Sequence, residues 1–284
     1  MSDELIVNLC PTGMVPTRAS SPHVPLTADE VAADVRRCAD AGASIVHVHP
    51  RDSDGRPTQD PAIAAEFIRA VRASVPEIVV CITTSGRVSP ELAGRAVVLE
   101  LDGDAKPEMA SLTLGSLNFP KEASISAPAT IQGLARAMEE RGIVPELEVF
   151  DFGMLDYAHY LQDRGLLSAP VYVNLLLGSL GTLAATPLNL ALLVERLPTG
   201  ATWAAAGIGQ YQFDVNRLAI AMGGGVRVGL EDNLWFDEGR TDPASNPRLV
   251  ERLVKISRAM GREPATPAQV RARLGIPPRS AGSA

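Results

Sequence analysis

Ala43-Ser44-Ile45-Val46-His47-Val48-His49-Pro50-Arg51-Asp52 places two histidines two residues apart in an apolar, β-branched run that closes on Pro, Arg and Asp. β-branched residues favour strands, and side chains alternate faces along a strand, so His47 and His49 point the same way. The chain holds only four histidines, and these two share one face at a strand's C-terminal end. That end is where parallel α/β proteins keep their chemistry, and imidazole is the commonest metal ligand. Two readings are open at this point: a metal site, or core histidines bonded to backbone or to Asp52.

Outward from this strand the same alternation covers the chain. Strand-like runs at 5–10, 44–49, 78–83, 109–114, 146–150, 171–177, 202–206 and 225–230 alternate with helix-like segments at 28–41, 61–74, 90–96, 128–141, 154–164, 187–197, 210–222 and 246–260. Thr27 and Glu30 form a capping-box pattern ahead of the first helix, and Gly42 stops it. Eight β/α units in this order predict a (β/α)8 TIM barrel, with a doubly wound open sheet as the competing arrangement. No linker or repeat divides the chain, so residues 1–284 read as a single domain. The Pro-rich stretch 262–284 reads as a C-terminal extension, an arm with a short helix at 268–274 that packs on a neighbour or frays.

Composition narrows the function. The chain has 284 residues, 46% of them hydrophobic and only 4% aromatic, so its core must be built from Val, Ile, Leu and Ala. A formal net charge of −7 without any basic run argues against a nucleic-acid surface. Cys10, Cys38 and Cys81 lack metal or redox spacing and read as reduced core thiols. No segment reads as a membrane span or signal peptide. The expectation is a cytoplasmic protein acting on small molecules.

A second motif closes the last strand: Val226-Arg227-Val228-Gly229-Leu230-Glu231-Asp232-Asn233. Arg227, Gly229 and Glu231 share parity, and Gly229 leaves room between them. In a barrel, strands two and eight contribute to one inward layer. His47, His49 and Glu231 then form a two-histidine, one-carboxylate set with an open position, as Zn²⁺ takes when it acts as a Lewis acid. Read without the histidines, Glu231 and Asp232 are equally a hydrated loop or a helix-capping pair.

The ordered segments Pro11-Thr12-Gly13, His47-Val48-His49-x-Arg51-Asp52-x-x-Gly55-x-Pro57-Thr58, Pro107-Glu108-Met109-Ala110-Ser111-Leu112, Gly115-Ser116-x-Asn118-Phe119 and Val226 to Asn233 resemble the beta-keto acid cleavage enzyme family. The resemblance implies one zinc per chain on His47, His49 and Glu231, with Asp232 as base and Arg227 as its partner. It also implies a hydroxyl after the third strand, aligned best with Thr84, and another at Ser111. The substrate is then expected against Met14, Val15, Thr84, Ser85, Gly86, Ser111 and Asn233. Acetyl-CoA is the implied co-substrate: a β-keto acid and acetyl-CoA become acetoacetate and an acyl-CoA by a Claisen/retro-Claisen route. A homotetramer is implied as well. One departure bears on specificity. The family's type enzyme meets a substrate amino group with an acidic residue where this chain has Val15, which offers a cation only desolvation. A neutral or apolar β-keto acid is therefore expected.

Other features carry less. His159 reads as structural, and His23 sits in a Pro-rich loop that could cover the barrel mouth. Gly207-Ile208-Gly209 follows a strand and opens a helix, where backbone N–H groups could meet CoA phosphates. Two rival functions are a metal-dependent barrel hydrolase and a non-catalytic metal-binding sensor. The first usually wants further His or Lys ligands on central strands, which are absent here.

Overall fold

A computed structural model describes residues 4–279. Eight parallel strands form a closed barrel: β1 (Val7–Leu9), β2 (Ile45–Val48), β3 (Val79–Ile82), β4 (Met109–Thr113), β5 (Val144–Val149), β6 (Tyr172–Leu177), β7 (Thr202–Gly207) and β8 (Gly225–Val228). Val7 pairs with Val226 to join first strand to last, which excludes the open sheet. The surrounding helices are α1 (Ala28–Ala41), α2 (Pro61–Ser74), α3 (Leu92–Ala96), α4 (Pro128–Arg141), α5 (Phe152–Asp163), α6 (Pro187–Glu195), α7 (Gln212–Ala221) and α8 (Asn246–Ala259).

Local chemistry sets these boundaries. Thr27 and Glu30 make the capping box of α1, and Gly42 ends that helix. Asp60 caps α2, whose first residue is Pro61. Val46 and Val48 of β2 join one buried cluster with Val31, Val35 and Cys38 of α1 and Phe67 and Ile68 of α2. Each such large side chain, fully buried, contributes about 1.5–3 kcal/mol. The three cysteines are buried and unpaired, as small core residues. Among the described residues no helix is long and apolar enough to cross a membrane.

Two parts differ from the sequence expectation. Between β4 and α4 lies an antiparallel hairpin, Leu117–Asn118 with Ala123–Ser124, that the strand count does not foresee. The arm beyond 262, expected to reach a neighbour or fray, folds back onto its own barrel. Leu5 donates to the Glu263 carbonyl, and Ala265 donates to the Leu5 carbonyl. Helix α9 (Pro267–Leu274) then covers the N-terminal end of the barrel. Its Val270 and Leu274, with Ile276, pack on Ile6, Ile45, Val79 and Met109. Arg271 is buried and fastens this floor, donating to Glu108 Oε1 at 2.8 Å and to the Glu77 carbonyl at 2.6 Å. The tip of the arm past 279 lies outside the described residues.

Candidate active site

At the opposite, C-terminal end the strands bring His47, His49 and Glu231 together. His47 Nε2 stands 3.0 Å from His49 Nε2, and His49 Nε2 stands 3.2 Å from Glu231 Oε1. One ligand atom from each lies within 4.8 Å of the others. Asp52 is not their partner; its carboxylate accepts from the Asp54 and Arg56 N–H groups. Two imidazole nitrogens facing each other and a carboxylate satisfy one another poorly without a cation. Glu231 Oε2 and His49 Nδ1 are buried with no partner at all. This donor set fits a divalent metal with an open side toward solvent.

Beneath it, Glu146 Oε2 accepts from His47 Nδ1 at 2.5 Å. Burial works against charge on His47, but Glu146 outweighs it and lifts the imidazole to about 9. Burial likewise opposes the Glu146 carboxylate, which His47 and Arg227 hold down at about 2. His47 also belongs to a second possible ligand cluster with Cys81 and Glu146.

Arg227 organises the acids. Its Nε donates to Asp232 Oδ2 at 3.2 Å, its Nη1 to Glu148 Oε1 at 3.0 Å and its Nη2 to Glu231 Oε1 at 2.8 Å. The guanidinium is 2% exposed, so these charge-assisted bonds are weakly screened. Burial pushes the Asp232 carboxyl up to about 6 even though Arg227 pulls the other way. For Glu231, burial is outweighed by His49 and Arg227, which hold it well below the usual carboxylate range. The arrangement therefore sets a donor group that fits a cation beside a carboxyl group whose raised pKa suits proton exchange.

A family model described as beta-keto acid cleavage enzyme matches residues 4–276. The chain belongs to the beta-keto acid cleavage enzyme family. A Fusobacterium nucleatum protein named 3-keto-5-aminohexanoate cleavage enzyme is 39% identical over 277 residues, covering 97% of this chain and 99% of its own. A Cupriavidus necator protein named 3-oxoadipate:acetyl-CoA acetyltransferase is 34% identical over 280 residues, covering 98% and 96%. Among solved structures, the ternary complex of ObcA with C4-CoA adduct and oxalate superposes with a TM-score of 0.81 over 90% of this chain and 68% of that one. At 22% identity it shares the barrel fold.

Not every residue expected from the family resemblance reaches the cavity. Met14, Val15 and Ser85 line it beside His49, Arg227, Glu231 and Asp232. Thr84 does not: it is fully buried, its hydroxyl donates to the Ser111 carbonyl and its N–H to Ser111 Oγ. One residue of strand register turns it away, and Thr83 lines the cavity in its stead. Ser111 is correspondingly a loop anchor beneath the wall. Gly86 lies off the wall too, where an added β-carbon would meet the Ile125 carbonyl at 2.6 Å. Asn233 bonds the Trp235 backbone through both ends of its amide and is not among the residues lining the cavity.

The sequence reading missed Glu146 and Glu148, although Glu146-Leu147-Glu148 carries the same two-residue spacing as the histidines. It also missed Arg51, buried against the first loop, where it donates to the Gly13 and Pro16 carbonyls and positions Met14 and Val15. The Gly207–Gly209 turn is not free for phosphate at its last residue, since the Gly209 N–H donates to the Asp232 carbonyl. His159 is structural as expected, bonded to the Arg196 carbonyl, and His23 is exposed and not among the residues lining the cavity.

Proposed function

We propose that this chain is a zinc-dependent enzyme that converts a β-keto acid and acetyl-CoA to acetoacetate and an acyl-CoA. The observation that carries this reading is the clustering of His47, His49 and Glu231 beside the Arg227–Asp232 pair, with His49, Glu231, Arg227 and Asp232 lining one cavity of about 420 Å³. His47, His49 and Glu231 would hold the zinc, which supplies Lewis-acid stabilisation of enolate charge on a β-keto acid.

Asp232 takes a proton from C2 of the keto acid, and Arg227 keeps the carboxylate aimed and compensates its charge. The C2 electron pair attacks the acetyl thioester carbonyl and expels CoA as thiolate. The thiolate then adds to the C3 carbonyl, and the C2–C3 bond breaks to release the acyl-CoA. The remaining carbanion, which now carries the acetyl group, recovers its proton from Asp232 as acetoacetate. Thr83 and Ser85 offer hydroxyls along this path, while Ser111 and Thr84 hold their loop.

Met14 and Val15 form the first-loop wall, so a short β-keto acid with a neutral or apolar distal group fits best. An ammonium there would lose water and gain no carboxylate from that loop. A homo-oligomer, a tetramer by family resemblance, is consistent with Leu180 and Leu188 standing 74% and 67% exposed. We also assign the chain to the cytoplasm. The test is turnover: purified, metal-loaded protein with acetyl-CoA and a panel of β-keto acids should yield acetoacetate and the matching acyl-CoA. No acyl-CoA from any panel member overturns the proposal.

A further inference from the structure

Two candidate metal clusters share His47, and the hydrogen bonds around Glu146 decide between them. Glu146 is 0% exposed and sits below the barrel mouth on β5. Asn8 Nδ2 donates to its Oε1 at 2.5 Å and Asn174 Nδ2 donates to the same oxygen at 2.8 Å. Its other oxygen accepts from His47 Nδ1 at 2.5 Å and from Cys81 Sγ at 3.4 Å. An ionised carboxylate has about four acceptor sites and no donor. Four donors fill them. In contrast, Glu231 Oε2 and His49 Nδ1, in the other cluster, have no partner.

We infer that Glu146 is a positioning residue: it fixes the His47 proton on Nδ1 and so turns the Nε2 lone pair toward His49 and Glu231. This inference rests on the metal reading above. Asn8 and Asn174 act one step further out. A carboxylate can only accept, so both must present their amide nitrogen to it, which leaves their Oδ1 atoms buried without partners. The cradle thereby gives up two acceptors to hold one carboxylate in place.

Glu146→Gln tests this sharply because it keeps the shape. The two asparagine donors select the glutamine oxygen, so its NH₂ group faces His47 Nδ1. His47 must then accept there and carry its proton on Nε2, where a metal needs a lone pair. Zn²⁺ affinity, read by competition with a chelating dye, should fall about tenfold to a hundredfold, with far-UV dichroism unchanged. A folded E146Q protein with wild-type affinity overturns the inference.

Two measurements on the wild type keep the test decisive if E146Q does not fold. In ¹⁵N-histidine spectra of the zinc-loaded protein, His47 should carry its proton on Nδ1. The cobalt-loaded protein should lack a sulfur-to-cobalt charge-transfer band. A proton on Nε2, or a band that disappears in Cys81→Ala, places the metal on the deeper cluster and overturns the role given to Glu146. Wild-type protein that binds no metal sinks the metal reading itself, a distinguishable result.

Discussion

Gly13 and Glu231 are packed against each other at the mouth of the barrel, where the neighbouring strands β1 and β8 end. A β-carbon on Gly13 would stand 2.3 Å from Glu231 Cγ and 2.8 Å from its Cβ, and Gly13 has φ of +68°. The loop that carries Met14 and Val15 therefore rests on a proposed metal ligand, with Arg51 holding its other side. The proposed substrate wall and the proposed metal site are therefore one mechanical unit.

Gly13→Ala follows from this contact. The left-handed backbone alone costs an alanine about 1–2 kcal/mol, and the methyl group must displace Glu231. We expect a folded protein with weaker metal retention and at least a tenfold loss of kcat/KM. Wild-type metal content and kinetics in this variant would contradict the coupling.

His49→Ala should lower bound zinc from one per chain to well below stoichiometric and abolish turnover while preserving the barrel. Elemental analysis of the purified variant checks it. Full metallation would mean that His49 is not a ligand.

For Asp232→Asn we expect retained zinc and near-normal KM, with kcat reduced about 10²–10⁴-fold. The amide keeps a hydrogen-bond acceptor for Arg227 but cannot take the C2 proton. Exchange of the C2 protons with deuterated water, followed by NMR without acetyl-CoA, isolates this step. Undiminished exchange would remove Asp232 from the role of base.

Val15→Glu should shift preference toward 3-keto-5-aminohexanoate, and the wild type should prefer 3-ketohexanoate. Competition between the two substrates in one reaction gives the ratio directly. A wild type that favours the amino substrate would contradict the reading of the first-loop wall.

The capping box of α1 predicts an acid-side stability effect. Burial would raise the Glu30 carboxyl, but Arg18 and the Leu26 and Thr27 N–H groups outweigh it and lower it from 4.5 to about 2. Its contribution is therefore full above about pH 4.5 and is lost as pH falls toward about 2. Denaturant melts of wild type and Glu30→Gln should differ at pH 6 and converge near pH 2. Thr27→Ala should cost about 1 kcal/mol at either pH.

The barrel and the His47, His49 and Glu231 cluster were legible because both rest on strand parity within apolar runs, a signal that survives in one sequence. The same signal lay in Glu146-Leu147-Glu148, but alternating carboxylates on a strand also describe a solvated face, and nothing local marks them as buried. Thr83 and Thr84 show the limit of reading a loop. The strand's parity passes through Cys81 to Thr83, while alignment by residue type favours Thr84. The hairpin from Leu117 to Ser124 has no Asn-Gly or Asp-Gly turn to announce it. The docking of α9 depends on Arg271 meeting Glu108 and Glu77, partners more than 160 positions away in the chain.

That last contact imposes an order of assembly. The floor under Ile6, Ile45, Val79 and Met109 is supplied by Val270, Leu274 and Ile276, which leave the ribosome after all eight strands. A nascent chain with a closed ring but no α9 still has water against the foot of its innermost layer. Translation must nearly reach Ile276 before the barrel is dry at both ends of its core, so early termination a few dozen codons short would leave every proposed catalytic residue present in a vessel without a base.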